Sequence, residues 1–318
     1  MSAGSRMDLV GRSVHVKVPA TTANLGPGFD TLGLALALYD ELEITARPGT
    51  GAHVEVIGVG AGEVPSDASN LVVRSIAHVF ERVGETMPGL DIVARNAIPH
   101  GRGMGSSGAA IVAGVMAAKG LLEHAVDLSG VTLLRLATEL EGHPDNVAPA
   151  LFGGLTIAWM APEGPQHKKL IAHRGVSPYV AVPIETTMST ALARSLQPES
   201  VPHQDAIFNV SRSALLIAAL IQSPELLHAA TEDRLHQSYR ASAMPETDAL
   251  IRLLRAEGLA AVVSGAGPSI LVLGSDPAQR LRAAELVDAH ATTPWRSLML
   301  AVDFRGATVV PRPAEAVA

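Results

Sequence analysis

The sequence contains no cysteine. Disulfide frameworks, thiolate nucleophiles, iron–sulfur clusters and cysteine-ligated zinc are therefore excluded together. A reducing compartment suits such a chain, and a cytoplasmic location is expected. Lysine is scarce as well. Of 24 basic residues only Lys17, Lys119, Lys168 and Lys169 are lysines, against 31 acidic residues, and the net charge is −7. Such a chain lacks the field of a nucleic-acid-binding or anionic-membrane surface. It can still hold a small anion through backbone amides or single arginines. Residues 1–13 carry no apolar run of signal-peptide length. Two uncharged stretches, 103–118 and 258–275, approach the roughly 18–20 residues of a membrane span. Each is broken by a glycine- and serine-rich turn, so both are expected to be strand–loop units of a soluble chain.

What is present is enough apolar material for a sizeable core. The 318 residues are 47% apolar and 17% charged, a globular composition that needs no metal or disulfide to fold. The length suggests two domains, divided as 1–165 and 166–318. Periodicity predicts strands over 13–18 (ending at Pro19), 39–45, 53–58, 90–95, 155–159, 179–183, 260–263 and 270–273, with 297–303 as the last. Helices are predicted over 70–83, 109–123, 132–141, 187–195, 205–222, 225–235, 244–257 and 277–291. Gly142 and Pro144 are expected to stop the third of these. The stretch 161–175 is expected to be loop. Strand runs and helix pairs mix without strict βαβ alternation, which favours α+β over a doubly wound sheet.

The most informative segment is Pro99-His100-Gly101-Arg102-Gly103-Met104-Gly105-Ser106-Ser107-Gly108-Ala109. Three alternating glycines allow positive φ and close approach of a ligand. Two serines follow where a helix should start, and a helix start offers unpaired N–H groups and a positive dipole end. Together these make an anion cradle that needs no lysine. No Gly-Lys-Ser/Thr follows, so it is not a Walker loop. It matches G-x-G-x-x-G formally, but no acidic residue closes a second strand about 20 residues on. The same residues would also serve as a tight turn with serine helix caps.

Two further clusters stand out. Asn24, Gly26, Gly28 and Asp30 follow the first strand and could form an Asx turn. Glu139-Leu140-Glu141-Gly142-His143-Pro144-Asp145-Asn146 gathers carboxylates, an imidazole and an amide at a helix end. One carboxylate could hold a metal, or the run could simply be an exposed terminus. No His-Glu-x-x-His is present, so the metal chemistry that fits is Mg²⁺ on oxygen ligands shared with phosphates.

Taken in order, three segments resemble the GHMP kinase superfamily and, within it, the homoserine kinases. They are the run from Pro19 to Asp30, the loop from Pro99 to Ala109, and Ser264-Gly265-Ala266-Gly267-Pro268-Ser269. The Glu141-to-Asn146 run, Phe208-Asn209-Val210-Ser211-Arg212 and the segment from Asp233 to Arg240 are similar too. The resemblance implies an α+β, two-domain GHMP kinase fold with nucleotide and substrate in the cleft between domains. It implies transfer of the γ-phosphoryl of ATP to L-homoserine in threonine biosynthesis. It further implies that the glycine loop wraps the ATP phosphates and that Ser107 and Glu141 hold Mg²⁺. Asn24, Asp30, His143, Arg194 and Arg240 would contact homoserine. Thr190 and Asn146 would lie near the reacting hydroxyl, with Arg194 assisting.

The residue chemistry agrees. Asp30 suits an ammonium, and the guanidinium forks of Arg194 and Arg240 suit a carboxylate. Asn146 stands where other superfamily members resemble one another in having an aspartate, and an amide cannot act as a base. Departures from the pattern are Gly108 where alanine is commoner and Ser269 in place of threonine. The spacing in the acidic run leaves Glu139 as well as Glu141 open as the metal ligand. The expected partner is the small-molecule substrate, with a homodimer as an option and neither nucleic acid nor membrane. The alternatives are a mevalonate- or galactose-type kinase of the same superfamily, or a non-catalytic relative that senses metabolites.

Overall fold

The β-branched alternation that predicts the first strand continues past Pro19. In the computed structural model, which describes residues 9–123 and 126–312, β1 spans Ser13–Ala23. It passes the proline through a register shift at Pro19/Ala20 against β2 (Leu32–Arg47). A bulge of this kind accommodates a residue without a donor. The first part of β2 pairs with β5 (Leu155–Ala161) and the later part with β4 (Gly89–Asn96). β3 (Ala52–Gly58) lies parallel to β4. β6 (Gly164–Leu170) forms a hairpin with β5, and β11 (Thr308–Arg312) returns to pair with β1. These seven strands make one sheet.

Four helices cover it: α1 (Leu71–Val83), α2 (Ser106–Leu121), α3 (Gly130–Glu141) and α4 (Pro144–Phe152). Asn70 caps α1 through its side chain, which accepts from Val72 N–H. α2 is buried almost all round, and its small residues permit close crossing. A Cβ on Gly114 would stand 2.6 Å from the Val72 carbonyl oxygen of α1. Ile76, Phe80, Leu90, Ile92, Val112 and Val115 are sealed between sheet and helices. Each such side chain contributes about 1.5–3 kcal/mol of transfer free energy.

The second sheet has four antiparallel strands in the order β10 (Trp295–Met299), β7 (Ser177–Pro183), β9 (Ile270–Gly274), β8 (Ala261–Val263). α9 (Pro245–Ala256) and α10 (Pro277–His290) pack on it around Tyr179, Leu254, Ile270 and Leu286. Between β7 and β8 in sequence, ahead of α9, run α5 (Thr190–Ser195), α6 (His203–Ile221) and the single turns α7 (Leu227–Ala230) and α8 (Gln237–Arg240). By length and composition α6 could cross a membrane. It buries Asn209, Leu216, Ala219 and Leu220 against the rest of the chain.

Several expectations are corrected. Pro144 does not simply end a helix; it occupies the first position of α4, where its missing N–H costs nothing. The helix expected over 225–235 is a 3₁₀ turn followed by α7. The chain then leaves helix because the Asp233 carboxylate accepts the N–H groups of Leu235, His236 and Gln237. The loop expected over 161–175 contains β6, a polar edge strand. The last strand is β11, whose Pro311 sits on a sheet edge where a proline is tolerated. Residue 165, where the sequence suggested a division, lies inside β6. The sheets change over between Leu170 and Ser177, and β11 belongs to the first.

Candidate active site

The glycine loop joins β4 to α2. Gly101, Gly103 and Gly105 all adopt positive φ (62°, 71° and 69°). Side chains are excluded there on contact grounds too. A Cβ on Gly103 would meet the Ser264 carbonyl oxygen at 2.0 Å, and one on Gly105 would meet Thr21 Oγ1 at 1.9 Å. Ser264 Oγ donates to the Gly103 carbonyl oxygen at 2.6 Å and lies 2.9 Å from Thr22 Oγ1. One hydroxyl thus ties the three sequence signatures together. Arg102 donates to the carbonyl oxygens of Pro183, Ile184 and His100, so it clamps the loop to the end of β7. Met104 is fully buried and anchors the loop in the core.

Gly105 is the N-cap of α2 and offers no side-chain acceptor. The N–H groups of the first turn, at Ser106, Ser107 and Gly108, are left without helical partners. They form the positive end of a 16-residue helix. Ser107 Oγ donates to Glu141 Oε2 at 3.0 Å. Burial raises the Glu141 pKa, and the Ser107 hydrogen bond opposes that rise. Glu139 lies elsewhere, held by Arg82 (2.5 and 3.0 Å) and His78 (2.8 Å) of α1.

Only Gly142 and His143 separate α3 from α4. Gly142 is a left-handed C-cap (φ 91°), and the chain turns so sharply that Glu141, His143, Asp145 and Asn146 share one cavity. His143 Nδ1 is hydrogen-bonded to Asp145 Oδ1, which raises the imidazole pKa against the opposing effect of burial. Thr21 Oγ1 donates to Asn146 Oδ1 at 3.0 Å.

The same cavity, of about 250 Å³, is lined by Asn24, Asp30, Thr190, Arg194 and Arg240. Asn24 has a left-handed backbone (φ 72°), and its side chain is spent on backbone groups of its own loop and of the Gly265 turn. Its Nδ2 donates to the Gly265 carbonyl oxygen and its Oδ1 accepts from Asp30 N–H. Asp30 and Arg194 form a bidentate pair with both contacts at 3.0 Å. Both side chains are about two-fifths exposed (38% and 42%), so this pair opens at little cost. Arg240 is only 2% exposed. It donates to the Gly265 carbonyl oxygen at 3.1 Å, and its Nε has no partner among the described residues. Its guanidinium lies 5.2 Å from the centre of the Phe29 ring, which stacks on buried His236 (4.6 Å). Burial lowers the Arg240 pKa, and Asp30 opposes this.

Comparison with known proteins fits this geometry. Residues 70–154 match the model for the GHMP kinases N-terminal domain, and residues 216–291 the model for the GHMP kinases C-terminal domain. The chain is 74% identical to a homoserine kinase of Leifsonia xyli subsp. xyli over 309 residues, 97% of this chain and 95% of that one. The chain belongs to the homoserine kinase family. Its fold superposes on the crystal structure of homoserine kinase from Cytophaga hutchinsonii with a TM-score of 0.82 and 27% identity, covering 98% of this chain and 100% of that one. Leishmania major mevalonate kinase shares the fold alone, at a TM-score of 0.69 and 16% identity, covering 96% of this chain and 100% of that one.

Within this family member, Gly101, Arg102, Gly103, Gly105, Ser106 and Ser107 line the cavity, whereas Met104 and Gly108 do not. Pro99 is buried beside the loop, and His100 and Ala109 line a neighbouring cavity of about 230 Å³. That second cavity shares Ser106 and Ser107 with the first, and its walls are mainly apolar. Sequence reasoning missed it, because Val18, Leu42, Val54 and Ala94 read as ordinary core positions of strands. It also gave no role to Thr21 or to the carbonyl oxygen of Gly265, which nothing in the local sequence distinguishes.

Proposed function

We propose that this chain transfers the γ-phosphoryl group of ATP to the side-chain hydroxyl of L-homoserine, giving O-phospho-L-homoserine for threonine biosynthesis. One observation carries the proposal. A single cavity is lined both by an open helix N-terminus with Ser107 and Glu141, and by Asp30, Arg194 and Arg240. The first set suits a polyphosphate and the second an amino-acid zwitterion. The family membership supports the same assignment.

The apolar cavity next to the loop suits the nucleotide base. The first-turn N–H groups of α2 then hold the phosphates. Ser107 Oγ and the Glu141 carboxylate are hard oxygen donors 3.0 Å apart, and Glu141 is half-buried with no cationic hydrogen-bond partner among the described residues. Mg²⁺ fits this donor pair. Among the described residues no three His, Asp or Glu side chains gather into a metal cage. The phosphates would therefore supply further ligands. When bound, the ion neutralises charge on the phosphate oxygens.

The substrate enters by exchange. Its ammonium takes the Asp30 carboxylate and its carboxylate takes the freed Arg194 fork. Arg240, buried and short of acceptors, is a second fork for that carboxylate. Asn24 holds Asp30 in place through its backbone N–H. Thr190, at the start of α5, and Asn146 border the reacting hydroxyl. The hydroxyl oxygen attacks Pγ, the bond from Pγ to the β,γ-bridging oxygen breaks, and ADP leaves with the electron pair. The hydroxyl proton ends on an oxygen of the transferred phosphoryl group. Asn146 cannot accept it, because an amide is not a base. Alignment and charge stabilisation supply the rate, as a loose phosphoryl-transfer transition state permits. A cytoplasmic location and an optional homodimer belong to the same proposal.

ADP release measured with L-homoserine, mevalonate and galactose tests it. Turnover with L-homoserine alone is expected. Preference for either other alcohol would favour the mevalonate- or galactose-type alternative. ATP binding without turnover would favour a metabolite sensor.

A further inference from the structure

Asp40 is a carboxylate that none of the steps above uses. It lies on β2 opposite Val18 of β1, is 5% exposed, and lines the apolar cavity next to the glycine loop. Its Oδ1 accepts the backbone N–H groups of Ala97 (2.7 Å) and Ile98 (2.9 Å), which fixes the strand end leading into the loop. Its Oδ2 has no hydrogen-bond partner among the described residues, and it is not sealed in the core, so it borders the cavity. Burial raises the pKa of this carboxyl group, and the two backbone N–H bonds and the charge of His100, which lines the same cavity, oppose the rise.

The other amide side chains of the cavity point to the same polarity. Asn70 is used at both ends, accepting from Val72 N–H and donating to the Pro65 carbonyl oxygen. Asn96 donates to the Val59 carbonyl oxygen, which leaves its Oδ1 as an acceptor. An apolar slot with unsatisfied acceptors recognises a flat heterocycle that carries N–H donors. A carbonyl oxygen placed against Asp40 Oδ2 would be repelled.

We infer that Asp40 determines base specificity: its Oδ2 accepts the exocyclic amine of a 6-aminopurine and disfavours a 6-oxopurine. This rests on the reading of the apolar cavity as the nucleotide-base pocket.

The test uses L-homoserine with ATP, purine riboside triphosphate (no exocyclic group) and ITP, for the native chain and Asp40→Asn. Asparagine keeps Oδ1 for the two backbone N–H groups and turns the cavity-facing atom into a donor. In the native chain, kcat/KM is expected to fall at least about tenfold from ATP to purine riboside triphosphate, and further with ITP. Asp40→Asn should lower kcat/KM for ATP and narrow the ATP-to-ITP ratio by about tenfold, with KM for L-homoserine unchanged. A purely structural role would not move that ratio. Equal use of ATP and purine riboside triphosphate by the native chain overturns the inference even if the variant does not fold. So does an unchanged ratio in a folded variant. Val56→Trp, on a half-exposed wall, separates the two levels. If it raises KM for every triphosphate, the pocket stands and only Asp40 is in question. If it leaves them all unchanged, the base does not bind there.

Discussion

Thr21 Oγ1 donates a 3.0 Å hydrogen bond to Asn146 Oδ1, joining the end of β1 to the start of α4 across 125 residues of sequence. This fixes the amide's orientation: its acceptor is spent on Thr21, and its Nδ2 donor has no hydrogen-bond partner among the described residues. Thr21 is fully buried, and a side chain on Gly105 would collide with it. The bond is expected to matter for alignment rather than affinity. Thr21→Val should lower kcat by about tenfold while KM for ATP and homoserine changes by less than about twofold, and Thr21→Ser should restore it. Steady-state kinetics of the three proteins check this.

Asn146 also allows a test of base-free transfer. Asn146→Asp places a carboxylate where a base would act, and Thr21 can still donate to it. Without a catalytic need for a base, turnover should not rise and no new acidic limb should appear in the kcat profile. A large rise with such a limb would show that a base is rate-enhancing in this cavity.

Glu139 and Glu141 are two residues apart and face different surroundings. Glu141→Gln should raise the Mg²⁺ concentration for half-maximal activity by at least about tenfold, because it removes the carboxylate that Ser107 donates to. Glu139→Gln breaks only the pairing with Arg82 and His78 and should leave the Mg²⁺ dependence unchanged. Magnesium titrations of both variants decide between them.

His143 makes stability depend on pH. Its pKa is raised above 6.5, first by the hydrogen bond to Asp145. Below 6.5 the imidazole is protonated in both folded and unfolded chains, and the pairing with Asp145 contributes fully. As pH rises through the raised folded value the proton is lost, and that contribution disappears. Urea midpoints of the ligand-free protein should therefore fall across this window. His143→Gln should remove the His143 part of the slope.

How far the site could be read from sequence depended on chain distance. The glycine loop was legible because its chemistry is local: alternating glycines, then a helix start, all within 99–109. The Glu141-to-Asn146 run was legible as a cluster. Pro144 was misjudged, since a proline that ends one helix and opens the next looks the same in sequence. Thr21 and Ser264 were not legible as partners, because their contacts with Asn146 and Gly103 exist only once the chain has folded. The apolar cavity was hidden for a related reason: a strand residue facing a ligand slot has the same alternation as one facing the core. β6 and β11 escaped because polar or proline-bearing edge strands carry little hydrophobic pattern.

In the proposed reaction the cavity binds an amino acid through its carboxylate and delivers its hydroxyl to ATP. The most direct measurement is kcat/KM for L-homoserine against 3-amino-1-propanol, which is the same molecule without the carboxylate, in the native chain and in Arg240→Met. The native chain should prefer L-homoserine by at least about a hundredfold, as a buried arginine left without its anion would cost. Arg240→Met should erase most of that preference. Equal use of both alcohols by the native chain, or a preference that survives Arg240→Met in full, would show that Arg240 does not bind the substrate carboxylate.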